Sequence, residues 1–297
     1  AWIGTVFSGL SAITLSPLGL QYIPMTRVEN MCATGTEAIR AASYAIAAGA
    51  CDIALAIGVE KLKDAGTTGV KGPAIVGDNP DGTAGIGPGY SAPASFAYMA
   101  TRYFNDYKLK PEEGKTLLAK IAVKNHHNGS LNPKAHFKNE LTVDQVVKAP
   151  IVAWPLGLFD CCGVSDGAAC AILTRADMAK KFRTDPIYVK ALNICVGARQ
   201  GAIRQDYDFV HIEENLLASR KSYQEAGVKD PRKEISIAEV HDCFTIHEMI
   251  VYEDLGFSAR GRAGDDINAG TFTLSGDLPV NTDGGLKCFG HPLGASG

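Results

Sequence analysis

The 297-residue sequence lacks any apolar run near the roughly 20 residues that a membrane span needs. It lacks a charge imbalance too: 29 Lys and Arg stand against 32 Asp and Glu, a formal net charge of −3. Nucleic acid and anionic membranes require a basic patch that this composition does not supply, so neither is expected as a partner. No two of the eight cysteines, at positions 32, 51, 161, 162, 170, 195, 243 and 288, are spaced C-x-x-C. A zinc ribbon is therefore excluded and no metal is expected. Several cysteines fall in apolar, strand-like runs, which fits reduced thiols of a cytoplasmic enzyme better than a disulfide framework. There is no short repeat and no low-complexity tract. No signal-peptide pattern is visible, and the opening AWIGTVFSGL reads as the middle of a strand, so the chain is expected to start within a longer one.

What is present is the pattern of an α/β protein. Strands are expected over Trp2–Phe7, Asp52–Gly58, IYVKALNICVG and ISIAEVHD, and GVSDGAACAILTRADMAKKF reads as strand then helix with Ser165 or Asp166 at the bend. Helices are expected over Pro93–Tyr107 and Pro111–His127, after an N-cap at Thr142, and over DFVHIEENLLASRKSYQEAG with a stop at Gly227. Residues 65–91, rich in glycine, read as a surface loop. The stretch after Cys32 is alanine-rich with almost no charge. Small residues around a whole helix predict one buried on all sides, between layers.

Three short stretches could carry chemistry: MCATG at Met31–Gly35, EVHDCFTIHE at Glu239–Glu248, and GGLKCFGHPLGASG at Gly284–Gly297. Strand ends and glycine loops are where α/β sheets assemble sites. Taken singly, each residue reads two ways. Cys32 is a small packed hydrophobe, or a nucleophile at a helix N-terminus with a depressed pKa. His241 is a helix cap or a site residue, His291 turn structure or a site residue, and Cys243 core or a site residue. Cys288 reads as structural and Asp242 as an orienting or capping residue. His126, His127 and His247 read as structural or pocket-rim residues. Lys61 and Lys63 are solvated lysines, with contact to a ligand's phosphates as the alternative.

In this order, ENMCATG, HDCF and GGLKCFGHPLGASG resemble the thiolase family, in the branch of the sterol-carrier-protein thiolases and their bacterial and archaeal relatives. Most thiolases have Asn-Glu-Ala-Phe where this chain has His241-Asp242-Cys243-Phe244. CDIALAIGVEKLKDAG and GLFDCCGVSDGAACAILTRAD also resemble family segments. The resemblance implies a five-layered α-β-α-β-α sandwich of two similar halves. The first, 1–184, would include a loop insertion at about 61–160, and the second is 185–297. The chain would be incomplete at both ends, without the family's terminal Cys-x-Gly motif.

The resemblance also implies an acyl-CoA C-acyltransferase acting on coenzyme A thioesters, with no permanently bound cofactor. It would cleave 3-oxoacyl-CoA with CoA, or condense acyl-CoA with acetyl-CoA, as in β-oxidation and lipid metabolism. Cys32 would carry the acyl group and His291 would accept its proton. Cys243 would move the proton at the α-carbon, its pKa lowered toward neutrality by a neighbouring imidazole. His291, with His241 acting directly or through a water, would stabilise the oxyanion. The backbone N–H of Cys32 would serve a second oxyanion hole. The expected assembly is a homodimer or dimer of dimers, with a small zinc-ribbon OB-fold protein as a further partner. Two alternatives stand beside it: an aldolase-like subunit working with such a partner, and a non-catalytic lipid- or acyl-CoA-binding protein.

Overall fold

A computed structural model describes residues 1–7, 14–65, 92–198 and 206–297. The glycine-rich loop expected at 65–91 falls, from 66 onward, outside the described residues. The chain forms two compact units that interleave along the sequence. One takes residues 1–70, 164–194 and 291–297; the other takes 71–163 and 195–290.

The first unit is built on a four-stranded sheet in the order Thr26–Val28, Trp2–Gly4, Ile53–Lys61, Asp166–Thr174. The first three strands are parallel, with Trp2 opposite Thr26 and Ala56, and the last is antiparallel, with Ile53 opposite Thr174. The alanine-rich segment is the helix Thr34–Ala47. It lays Ala38 and Ala42 on Ala54 and Ala56 of the long strand. Four methyl groups at the contact let helix and sheet approach closely, and alanine has the best helix propensity. Only that face is buried, however; Tyr44 on the helix is 54% exposed. Its composition reflects close approach on one side, not enclosure all round. Ile3, Leu15 and Ile57 form a separate small core.

The second unit is mainly helical. Ala92–Asp106, Pro111–Leu131, Glu213–Ala226 and Thr245–Asp254 are its longer helices. The Pro111 helix opens with proline in its first turn, and Glu113 accepts from the Lys110 backbone N–H at 3.0 Å. Thr142 caps as expected: its hydroxyl oxygen accepts from Gln145 N–H at 3.2 Å, and Gln145 Oε1 accepts from Thr142 N–H at 2.8 Å. Gly227 ends its helix with φ 78°. The helix enclosed on nearly all sides is Thr245–Asp254, where every residue except His247 is buried. It packs Ile246, Met249 and Ile250 into a core with Tyr103, Leu118 and Leu278.

Two expected strands form no ladder among the described residues. Ile187–Gly197 joins no ladder among the described residues, with Ile187 98% and Val196 80% exposed. Ile235–Asp242 makes only an isolated bridge from Ala238 to Val280. Apolar alternation shows that a segment can lie in a sheet; a ladder also needs a neighbouring strand.

Candidate active site

Cys32 lies in the 3-10 turn Met31–Ala33, which leads directly into the helix Thr34–Ala47. The residue before it, Met31, has φ 47°. A non-glycine residue there stores about 1–3 kcal/mol of strain. The turn is held by side chains: Thr34 Oγ1 accepts from Asn30 N–H at 2.8 Å and donates to Met31 O at 2.6 Å. Glu29 accepts from Met31 N–H at 2.6 Å.

His291 Nε2 is 3.2 Å from Cys32 Sγ. Its other nitrogen, Nδ1, is 2.8 Å from Ser296 Oγ. Ser296 Oγ also lies 3.1 Å from Pro292 O, which can only accept its hydroxyl hydrogen. With that hydrogen on Pro292 O, the hydroxyl oxygen accepts from His291 Nδ1–H, which leaves Nε2 to accept from the thiol. The helix N-terminus was expected to lower the Cys32 pKa. Instead, burial pushes it up to about 11, and hydrogen bonding to the Cys32 backbone N–H offsets only part of this. A resting thiol beside an acceptor nitrogen therefore replaces the expected pre-formed thiolate.

The segment carrying His291 is fixed by Glu60, buried on the long strand. Its carboxylate accepts from Gly294 N–H at 3.0 Å, Val6 N–H at 2.7 Å and Thr5 Oγ1 at 3.2 Å. At Gly58 a Cβ would lie 1.9 Å from Gly294 O, so only glycine permits this backbone contact.

In the second unit, His241, Cys243 and His247 come together. Their ligand atoms all lie within 4.8 Å of one another. Cys243 is buried, with Sγ 3.9 Å from His247 Nδ1. The rings of His241 and His247 meet edge-on with centroids 4.7 Å apart. Burial pulls the His241 pKa down to about 4. At neutral pH His241 is thus a neutral donor-acceptor and not a cation.

Asp242 points the other way. It accepts from Leu286 N–H at 2.6 Å, Lys287 N–H at 3.2 Å and Asn125 Nδ2 at 2.8 Å. It thereby ties His241-Asp242-Cys243-Phe244 to the glycine loop, as its orienting role requires. Gly285, with φ 62°, makes room: a Cβ there would meet Asp242 Oδ2 at 2.3 Å.

Ser296, Glu60, Asn125 and His247 were not singled out for the site, or were set at its rim. Ser296 lies in a quoted motif and His247 four residues after Cys243, so spacing offered a signal. Glu60 and Asn125 offered none. Lys61 pairs with Asp166 at 2.7 Å. His126 Nδ1 is 3.0 Å from Asn139 O, and His127 Nδ1 is 2.9 Å from Glu140.

A thiol hydrogen-bonded to an imidazole whose far nitrogen is tied down is the arrangement of a cysteine nucleophile beside a base. Residues 11–177 match the thiolase N-terminal domain and 196–296 the thiolase C-terminal domain-like family. The chain belongs to the thiolase family. It is 38% identical over 303 residues to acetyl-CoA acetyltransferase of Methanothermobacter thermautotrophicus, covering 100% of this chain and 76% of that protein. It is 32% identical over 317 residues to human sterol carrier protein 2, covering 100% of this chain and 55% of that protein. The solved Ltp2-ChsH2(DUF35) aldolase shares the fold, with TM-score 0.79 at 24% identity over 98% of this chain and 75% of that one.

Proposed function

We propose that this acyltransferase works as a thiolase through Cys32, with His291 as its base, Cys243 as the acid/base and His241 as an oxyanion donor. The Cys32 thiol gives its proton to His291 Nε2 as sulfur bonds to the 3-oxo carbon of a 3-oxoacyl-CoA. The carbon–carbon bond breaks, the acyl group stays on Cys32, and the acetyl-CoA carbanion takes the proton of the Cys243 thiol. The thiol of free CoA then gives its proton to the Cys243 thiolate and bonds to the acyl carbon, Cys32 leaves and takes back the proton held by His291, and the reverse sequence condenses two thioesters. After taking the proton, His291 presents Nε2–H, so the same nitrogen that served as base becomes an oxyanion donor. His241 acts as a neutral donor, since burial keeps it uncharged at neutral pH.

The observation that carries this reading is the 3.2 Å separation of Cys32 Sγ from His291 Nε2. That pair favours acyl transfer over both the non-catalytic and the aldolase-like alternatives, which need no thiol nucleophile. Coenzyme A thioesters enter as substrates, with no resident cofactor. The reading includes the two halves 1–184 and 185–297 and at least a homodimer, so a monomer in sedimentation at micromolar concentration counts against the assembly. A cytoplasmic place in acyl-CoA metabolism belongs to it as well, supported by eight free cysteines. A zinc-ribbon OB-fold partner would be an addition to this chemistry.

Mass spectrometry after incubation with acetyl-CoA should find the adduct on the Cys32 peptide; an adduct on Cys243 or Cys288 refutes the nucleophile. Cys243→Ala should still be acylated but should lose exchange of acetyl α-protons with solvent deuterium. Normal exchange in that variant would move the proton carrier elsewhere.

A further inference from the structure

His241, Cys243 and His247 are three side chains of metal-binding type on one short segment. Local geometry explains their convergence. His241 and Cys243 are two residues apart in the non-helical stretch before the helix, with Cys243 at a bend. Phe244 then caps the helix Thr245–Asp254, and its first turn brings His247 back over Cys243. Phe96 closes the far side, its ring stacked on Phe244 at 4.5 Å and tilted against His247 at 5.2 Å. Packing on that side limits the His247 ring and keeps its Nδ1 toward the sulfur.

One thiol and two imidazoles suit a borderline-soft divalent cation. Around tetrahedral zinc, ligand atoms stand roughly 3.3–3.6 Å apart, given Zn–N near 2.0–2.1 Å and Zn–S near 2.3 Å. The sulfur and His247 Nδ1 are 3.9 Å apart and all three ligand atoms fit within 4.8 Å, so small side-chain rotations would close the site. Three protein ligands leave a fourth position open. The absence of C-x-x-C pairs excludes a structural ribbon but not this His-x-Cys-x-x-x-His arrangement.

We propose that His241, Cys243 and His247 bind a zinc-class divalent cation, and that its occupancy silences proton transfer at Cys243. The binding stands on geometry; the silencing rests on the reading of Cys243 as acid/base. On binding, the Cys243 S–H bond breaks, its proton passes to solvent and the sulfur lone pair bonds to the metal. With its sulfur committed, Cys243 neither gives nor takes a proton at the substrate α-carbon.

The test uses Co²⁺ as a spectroscopic probe and Zn²⁺ as the inhibitor, on the whole protein. Wild type should take up one Co²⁺ with a thiolate-to-cobalt charge-transfer band. Cys243→Ser should lose the band, and His247→Ala should weaken Co²⁺ binding by at least about 100-fold, the upper range for losing even an outer-shell partner. Adduct formation on Cys32 in both variants checks that they are folded. No band in wild type, or a band that persists in Cys243→Ser, overturns the site. So does a band that vanishes in Cys32→Ser while persisting in His247→Ala. Zn²⁺ should suppress α-proton exchange at least tenfold in wild type, with a proportionally higher concentration needed in His247→Ala. Binding with undiminished exchange would keep the site and remove Cys243 from the proton transfer.

Discussion

At the scale of single residues, the acylation chemistry turns on where one hydrogen sits. Because the Cys32 thiol is pushed up to about 11 by burial, fewer than about one molecule in a thousand carries a thiolate at pH 7. Reactivity at neutral pH therefore depends on His291 accepting the proton, and acceptance depends on Ser296 holding the hydrogen on Nδ1. Ser296→Ala frees the ring to carry its hydrogen on either nitrogen. Alkylation of Cys32 by iodoacetamide at pH 7 should then fall about tenfold, and further in His291→Gln, where general-base help worth roughly 10²–10⁴ is lost. In His291→Gln the rate should climb about tenfold per pH unit, so its deficit narrows as pH approaches the thiol's own pKa. A deficit that stays constant to pH 10 would mean that neither residue acts through the thiol proton. The motifs showed Cys32 and His291 in the sequence because both are unusual residues in glycine-rich settings. The tautomer was hidden: it turns on a serine five residues on, whose hydroxyl lies between His291 Nδ1 and Pro292 O.

At the scale of elements, local signals were legible and pairing was not. Pro111 in a first turn, Thr142 before Val143–Val147 and Gly227 after Ala226 carry their structural reason in their own chemistry. The segments Ile187–Gly197 and Ile235–Asp242 have strand-like alternation without a ladder among the described residues, since a hydrogen-bonding partner is a property of distant chain. Glu60 shows the same limit. A glutamate on a strand reads as solvent-facing, yet this one is 2% exposed and receives Gly294, Val6 and Thr5. The contact it secures is unforgiving, because Gly58 faces the Gly294 carbonyl with no room for a methyl group. Gly58→Ala should cost at least the 1–3 kcal/mol typical of overpacking. It should also displace the Leu293–Ser296 turn that sets His291, so Cys32 acylation should fall with it. Urea unfolding alongside adduct formation reads both effects. A variant as stable and as readily acylated as wild type would show that the segment is not held as described.

At the scale of the whole molecule, the buried charges of the second unit govern how stability responds to pH. Lys124, Asn125, Asp242, Glu248 and Tyr252 form one hydrogen-bonded network. Lys124 and Asn125 Nδ2 each lie 2.6 Å from Glu248, and Tyr252 donates to the same carboxylate. Burial first, and the neighbouring Glu248 second, push the Asp242 pKa up to about 8 against the backbone N–H groups of Leu286 and Lys287 that lower it. The folded protein thus holds a proton that the unfolded chain releases near pH 4. The contribution of this group is fully present below pH 4, declines as pH rises toward 8, and is lost above it. Asp242→Asn removes the titration but turns an NH₂ toward the Asn125 amide or the loop N–H groups, which imposes a loss at every pH. The variant's deficit should therefore be largest near pH 4–5 and narrow steadily to pH 8, in urea midpoints measured across that range. A deficit that widens with pH would mean that Asp242 is ionised in the folded protein, so that the glycine loop is anchored by a full carboxylate charge.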